Sequence, residues 1–453
     1  MKTNENDFLK RRVIPITVGL LMLLLFNLRT EAQTAWSLTH CINYALKNNI
    51  DLTISHNNIE TQQVNLQQSK AALLPDLNLG SQVNMNFGRN IDPNTNDVTF
   101  NKTMQNYYWA NTSVNIFQGL VKMNTLKLNS YRLAAGKEEA QFEKNKLIFK
   151  VLSSYFTVLY TSGLVDVAEN QVHISEKQIK RMQKFVEVGR ESPLTVQELK
   201  SQWANDKLTL TRAENLYSKT LLELKQLLRL EVSNRFDIDT TMPLPLVTPD
   251  SPNVDSLFAR AVNSMPQILQ QKLLYNASLK ELSVAKGYIS PRLYLSAGYS
   301  TNFFDGAELT FAKQLENNQN QWVNMSISIP VFNNASVHSR IKRKKIAVDN
   351  QKLKLQKERE TLYTEIWKAA DDLKSAKNEF YSAVELKKFS ELSLKNITEK
   401  MEKGLASATD YDIAKQRYIS AKATLLKAKL VYILRSQMLE FYRRGNWNHL
   451  LNN

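Results

Sequence analysis

Residues 151–186 read VLSSYFTVLYTSGLVDVAENQVHISEKQIKRMQKFV, and this stretch decides the fold. An apolar residue returns at every seventh position without a break: Val151, Val158, Val165, Val172, Ile179 and Val186. A strict seven-residue repeat winds helices into a left-handed coiled coil. Because no proline falls between Leu120 and Val188, we expect one helix over that range, extending for roughly 100 Å at 1.5 Å per residue.

The same pattern recurs in the second half of the chain. Ile366 lies 215 residues after Val151, and Tyr411 lies 215 residues after Val196, where the returning helices carry their own heptads. A duplication explains why the heptad phase is kept. Each copy is predicted to contain a helix, two strands and a long helical hairpin. The predicted boundaries are a first repeat at 33–230, a proline-rich linker or small equatorial element at 231–254, a second repeat at 255–445 and a tail at 446–453.

The N-terminus predicts export from the cytoplasm. A basic cluster at 10–12 precedes an apolar run at 13–28, and small residues follow at 30–32. This order is typical of a secretory signal peptide, predicted at 1–32. An inner-membrane anchor that stays attached is the alternative, although the run is short for a membrane span. After this leader we find no segment apolar enough for a transmembrane helix, so we expect any spanning structure to consist of strands.

Charge and composition argue against a binding protein for polyanions and against an enzyme. Lys and Arg number 59 against 43 Asp and Glu, a net charge of +16. The charges alternate in sign along the predicted helices, which is typical of solvated coiled-coil faces rather than of a nucleic-acid site. The five histidines are scattered, and no motif for metal, phosphate or nucleophilic chemistry is present. We expect no cofactor, no metal, no nucleic acid and no catalytic activity.

Four segments alternate between apolar and uncharged polar residues over about ten positions. They begin near Leu77, Ala110, Leu293 and Val323. Membrane barrels have this pattern, with apolar side chains toward lipid and polar ones toward a wet interior. Four strands cannot close a barrel, and open edges are not tolerated in lipid. Several copies must then share one barrel: three copies give twelve strands and four give sixteen. Aromatic residues at the strand ends predict an aromatic girdle: Tyr107, Tyr108, Trp109 and Trp322.

This arrangement resembles the TolC family of outer-membrane efflux proteins over nearly the whole mature chain. The resemblance is carried by the duplicated plan, by Leu74-Pro75 and Ser290-Pro291 before strands, and by Phe117-Gln118-Gly119 before a long helix. It implies a mainly α fold with a β-barrel contribution: a homotrimer with a twelve-stranded barrel in outer-membrane lipid and an α-helical tunnel in the periplasm. It implies a passive exit duct for a tripartite efflux or type I secretion system, fed by an inner-membrane transporter through a periplasmic adaptor protein. The alternative is a periplasmic coiled-coil scaffold or adaptor without a pore.

The resemblance also assigns roles to the two hairpin turns, which would face the adaptor. Glycine suits the end of one helix, and serine, or serine followed by proline, suits the start of the next. The predicted docking residues are Gly189, Ser192, Pro193 and Thr195 in the first turn, and Gly404, Ser407, Thr409 and Asp410 in the second.

Asp410 has two interpretations. A carboxylate at the start of a helix stabilises the helix through its dipole. By resemblance, Asp410 is also the candidate for a threefold acidic ring that selects cations and contributes to a gate. The chain departs from the family pattern nearby, because Ile413 stands in place of a second Asp, and Met401 and Ala406 stand where a Tyr and an Arg can brace the closed state. A gate of different composition is therefore an open alternative.

Overall fold

The computed structural model describes residues 35–91, 96–99, 102–231, 233, 236–240, 253–305 and 309–451. The predicted signal peptide and most of the proline-rich linker lie outside these residues. The chain separates into two compact units, each built from three segments. Counting only the described residues in each range, the first unit comprises Met1–Ala45, Val151–Leu244 and Ser393–Leu426, and the second comprises Leu46–Lys150, Pro245–Leu392 and Lys427–Asn453.

The described part of the first half contains four helices and four strands. In chain order they are α1 (Leu38–Asn48), α2 (Ile50–Ala71), β1 (Asp76–Asn86), β2 (Asn90–Ile91), β3 (Val98–Thr99), β4 (Thr103–Gln118), α3 (Val121–Glu187) and α4 (Pro193–Leu228). The short strands β2 and β3 pair with each other in the connection between β1 and β4.

The described part of the second half repeats this order, except that a short helix stands between its two strands and another follows the last long helix. Its elements are α5 (Val254–Ser264), α6 (Pro266–Gly287), β5 (Arg292–Phe304), α7 (Phe311–Asn317), β6 (Asn320–Ser328), α8 (Ser336–Glu402), α9 (Ala408–Arg444) and α10 (Asn448–Leu451). The helices α3 and α8 have 67 residues each. The prediction of a mainly helical fold with duplicated long hairpins is thus confirmed.

The heptad positions of α3 explain its packing. Val151 and Val158 are fully buried, as is Leu152 beside the first of them. Apolar residues spaced for packing also raise the mean hydropathy, and by length and composition α3 is the one helix in the described ranges that could cross a membrane. The expectation that no segment after the leader meets this test was wrong. Core helices of soluble proteins meet the same test.

The first unit ties the N-terminal segment to the residues that follow α4. Trp36 forms a parallel bridge with Ile238. The hydroxyl of Tyr155 donates to the carbonyl of Asp239 over 2.8 Å, and the rings of Trp36 and Phe236 meet edge to face. Residues 236–240, which belong to the predicted small element, are therefore held by packing against α3.

The second unit contains an antiparallel four-stranded sheet in the order β1-β4-β5-β6. The two central strands come from different halves of the chain, so the sheet joins the repeats by backbone hydrogen bonds. The same unit buries Trp447 in the predicted C-terminal tail, where its ring stacks on Phe441 at 4.6 Å between centroids.

Candidate functional site

One face of the sheet is apolar and open. The register aligns Leu77, Thr112, Ala297 and Val323 in a row across all four strands. Leu79 and Val323 each leave 76% of their surface exposed. Side chains of neighbouring strand residues point to opposite faces, so the apolar positions of each strand share this face. A mainly apolar face of this extent is unusual on a protein surrounded by water and indicates an apolar partner.

The opposite face is polar and uncharged at its centre. There the register aligns Asn78, Asn111, Gly298 and Trp322, and Trp109 lies on the same face, directly opposite Gly80. Asparagine and serine alternate with the apolar residues along the strands, as the sequence predicted. Strands of membrane barrels divide their side chains in this way, with the apolar face toward lipid and the polar face toward water.

The register divides the four residues of the predicted aromatic girdle. Tyr108 lies on the apolar face, opposite Ser81 and Thr301, whereas Tyr107 lies on the polar face, opposite Gln82 and Asn302. Trp109 and Trp322 are also on the polar face. The reason is the two-residue period of a strand, which sends consecutive aromatic residues to opposite sides. A lipid-facing girdle therefore stays a proposal for Tyr108 alone.

The first hairpin turn links α3 to α4. Gly189 has a φ of +74°, the left-handed conformation that glycine adopts without strain. The amide of Arg190 donates to the carbonyl of Phe185 over 2.8 Å, which closes the helix end. Ser192 then caps α4 by accepting from the amide of Leu194. Pro193 is the first residue of α4, and the Thr195 hydroxyl donates to a Glu191 carboxylate oxygen over 3.4 Å.

The second turn, between α8 and α9, repeats the backbone but changes the cap. Gly404 also has a φ of +74°. The Ser407 hydroxyl accepts from the amide of Asp410 over 3.1 Å and donates to its Oδ2 over 2.7 Å, while the Ser407 amide donates to the same oxygen over 3.0 Å. This is a reciprocal capping box. These hydrogen bonds lower the pKa of the exposed Asp410 carboxyl. Thr409 is an exposed residue in the first turn of α9.

A buried apolar cluster joins the helices that leave both turns. Its members come from all four helices of the two hairpins: Met182, Val196, Leu199, Met401 and Tyr411. An exposed ion pair, Arg181 to Glu402 at 2.6 Å, lies alongside. Met401 stands where the family pattern allows a tyrosine that braces the closed state. In this chain its side chain is buried in the apolar cluster. The predicted residues of the two turns are therefore brought into one region of the first unit.

Sequence reasoning missed a buried ion pair in this unit. The Nζ of Lys415 on α9 lies 2.9 Å from Oδ2 of Asp206 on α4, and the side chains are only 4% and 3% exposed. The Ser175 hydroxyl on α3 also bonds to Asp206 and accepts from Lys415. Gln171 and Gln202 donate to the two carboxylate oxygens of Asp206. The signal was present, because Asp206 is a charged residue at a heptad position where the repeat calls for an apolar or small one.

The surroundings of Lys415 include a second carboxyl group. Asp412 lies one turn before it on α9, and burial raises the pKa of that carboxyl, an effect that Lys415 partly offsets. One of its oxygens, Oδ1, is buried without a hydrogen-bond partner. Within the described ranges, no group of three or more His, Cys, Asp or Glu side chains could hold a metal ion.

Comparison with solved structures identifies the fold. CusC, which forms a transmembrane channel, has a TM-score of 0.76 at 15% identity, over 92% of this chain and 95% of its own. The outer membrane protein VceC of Vibrio cholerae has a TM-score of 0.74 at 14% identity, over 92% and 96%. The CmeC outer membrane channel of Campylobacter jejuni has a TM-score of 0.75 at 15% identity, over 90% and 85%. A search of curated protein sequences found no significant match.

The family comparison goes further than the fold. The sequence model described as outer membrane efflux protein matches residues 41–228 and 257–442, which is more than half of the chain. The resemblance inferred from the sequence is thereby confirmed, and the family is one of efflux proteins rather than enzymes. The chain therefore belongs to the outer membrane efflux protein family, which places it in the outer membrane and favours an efflux channel over a scaffold or adaptor without a pore.

Proposed function

We propose that three copies of this chain form one passive export duct, with four strands from each copy closing a twelve-stranded barrel. The observation that carries this proposal is the sheet. Its apolar face is exposed, and within the described residues its outer strands, β1 and β6, each pair on one side only. In lipid every backbone N–H and C=O group must be paired, so these edges require strands from other copies. Twelve strands from three copies and sixteen from four are both even numbers within the range of outer-membrane barrels, and the family resemblance favours three copies.

Exposed apolar side chains on α8 support the association of copies. Trp367 and Phe389 leave 56% and 62% of their surfaces open, and Leu353, Tyr381 and Leu392 are also exposed. Large apolar side chains along one helix mark an interaction surface. The proposal assigns this surface to neighbouring copies, whose helices would complete a tunnel extending into the periplasm.

We infer that the two turns meet the partners of the duct. Both glycines are open to their surroundings: a Cβ added to Gly189 or Gly404 would meet no described atom within 4 Å. The docking proposal covers both turns, with an adaptor protein bridging to an inner-membrane transporter that supplies the energy. We expect Ser192→Ala or Ser407→Ala to weaken adaptor binding less than Gly189→Ala or Gly404→Ala. The reason is that glycine sets the conformation of each turn.

We also propose that the negative charge of Asp410 contributes to a gate that selects cations. Because hydrogen bonds from Ser407 lower the pKa of the Asp410 carboxyl, the group stays negative at neutral pH. Three copies would present three such charges. The change Asp410→Asn removes the charge, and a reduced preference for cations over anions is expected in planar bilayers. Glu191→Gln removes a carboxylate from the other turn and is the matched control; equal effects of both changes would argue against a special role for Asp410.

The deciding experiment is the mass and conductance of the detergent-extracted protein. A particle of three chains that opens pores in planar bilayers supports the duct. A water-soluble monomer or dimer without pores would overturn the proposal and return the chain to the scaffold alternative.

A further inference from the structure

Each hairpin of the sheet carries a tryptophan placed over a glycine of its partner strand. A Cβ added to Gly80 would lie 2.3 Å from Cζ2 of Trp109, and one added to Gly298 would lie 2.5 Å from Cε2 of Trp322. No side chain other than hydrogen fits beneath either ring. The glycines therefore fix the indoles against the strands, and the same device occurs independently in the β1-β4 and β5-β6 pairs.

Both indoles lie on the polar face of the sheet. Their row neighbours are Asn78, Asn111, Ser300 and Asn320. In an outer-membrane protein the apolar face contacts lipid, so the polar face is directed to the interior of the duct. Trp322 keeps 37% of its surface exposed. Large aromatic rings on this face are not needed for contact with lipid.

We propose that Trp109 and Trp322 form a stacking surface for flat aromatic solutes inside the duct. This inference rests on the proposed function, under which three copies bring six indoles to the interior of one barrel. Indole faces attract aromatic rings and also cations held over them. The neighbouring side chains are uncharged amides and hydroxyls, so they form no ion pair with a solute. A solute is thus retained briefly and released, as transport requires.

A purely structural role predicts something different. If the rings only cover glycine backbone, their removal changes stability but leaves the passage of aromatic and non-aromatic solutes equal. A stacking surface instead distinguishes solutes of equal charge by their rings. The test must therefore compare two cations, one flat and aromatic and one without a ring.

The experiment is single-channel recording in planar bilayers with N-methylquinolinium or tetraethylammonium on one side. The intact protein is expected to show longer current interruptions with N-methylquinolinium. In the double variant Trp109→Leu, Trp322→Leu, we expect these interruptions to shorten by about two- to tenfold for each ring lost. Tyr108→Leu removes an aromatic ring from the apolar face of the same strand and should leave them unchanged.

Two further variants separate ring position from ring presence. Gly80→Ala displaces the indole of Trp109 without removing it and should also shorten the interruptions. Trp322→Leu alone should give a smaller effect of the same sign, and it replaces the double variant if that variant does not insert. Unchanged interruptions in the Trp variants, or equal interruptions by both cations in the intact protein, would overturn the stacking surface while leaving the duct intact. An intact protein without any pores would overturn the proposed function, and this inference with it.

Discussion

The hairpin ends, meaning the two turns and their helices as far as Asp206 and Lys415, differ from the sheet. They differ in how many apolar and charged side chains find partners within the same chain. Near the turns, apolar residues are buried together and the charge of Asp206 is paired with Lys415. In the sheet, Leu79 and its apolar neighbours remain exposed on one face. The hairpin ends are therefore stabilised by contacts within the chain. The apolar face of the sheet is left without such contacts, and in the proposed duct lipid and other copies would supply them. Substitutions at the hairpin ends should therefore change stability whether or not lipid is present, whereas substitutions on the apolar face of the sheet should change stability in lipid.

The largest effect is expected at the buried ion pair. Lys415→Met leaves the Asp206 carboxylate buried without its charge partner, which costs about 3–5 kcal/mol of folding free energy. Urea unfolding followed by circular dichroism measures this loss. Arg181→Met, at the exposed pair with Glu402, is the control and should cost below about 1 kcal/mol.

The ion pair can also be separated from its neighbours. Because a buried pair is often replaceable by apolar residues of similar size, the double change Asp206→Leu, Lys415→Met should recover most of the stability that Lys415→Met loses. A double variant as unstable as the single one would show that Ser175, Gln171 and Gln202, rather than the ion pair, hold these helices together.

The second effect belongs to the sheet and depends on lipid. Leu79→Arg places a charge on the apolar face and should cost about 2–4 kcal/mol if the position lies near the bilayer midplane. Asn78→Arg, on the next residue and the opposite face, should cost little. Urea unfolding from lipid vesicles measures both. Equal losses for the two variants would contradict the assignment of the faces to lipid and water.

The third effect compares the two caps. The Ser407 hydroxyl makes two hydrogen bonds with Asp410, whereas the Ser192 side chain accepts one from Leu194. Loss of a serine cap costs about 0.5–2 kcal/mol. We expect Ser407→Ala to fall near the upper end of that range and Ser192→Ala near the lower end, measured by thermal unfolding. The reverse order would mean that Pro193 and Thr195 contribute less to the first turn than the geometry indicates.

The sequence predicted the regular parts of the molecule and missed the contacts between them. The heptads that include Val151 on α3 and Ile366 on α8 predicted both long helices and the duplicated hairpins, because apolar residues at this spacing pack as coiled coils. Strand alternation predicted the two faces of the sheet. It did not show that Trp109 and Trp322 would lie over glycines, because that contact depends on the register between strands. Likewise, Asp206 was visible as a misplaced charge, but its partner on α9 is 209 residues away along the chain and only the fold brings them together.

The smallest effect contrasts two carboxyl groups on α9. Hydrogen bonds from Ser407 lower the pKa of Asp410, so its ionised form stabilises the fold. This contribution is present above the ordinary pKa of 3.8 and is lost as the pH falls below that value. Burial raises the pKa of Asp412 above 3.8, so its ionised form opposes folding. The protonated form of Asp412 is the one that burial favours. Its contribution to stability is present at low pH and is lost as the pH rises from 3.8 through the raised pKa.

The two groups therefore predict opposite results for the same substitution. At neutral pH, Asp410→Asn should lower the midpoint of thermal unfolding, and Asp412→Asn should raise it slightly, because an amide has no charge to desolvate. Below pH 3.8 both differences from the intact protein should shrink. Asp412 is then protonated in the folded and the unfolded chain, and Asp410 loses its contribution as the pH falls through its lowered pKa. Midpoints recorded between pH 3 and pH 8 test this directly. Shifts of the same sign for both variants would show that Lys415 offsets the burial of Asp412 completely, and that α9 carries two stabilising carboxylates rather than one.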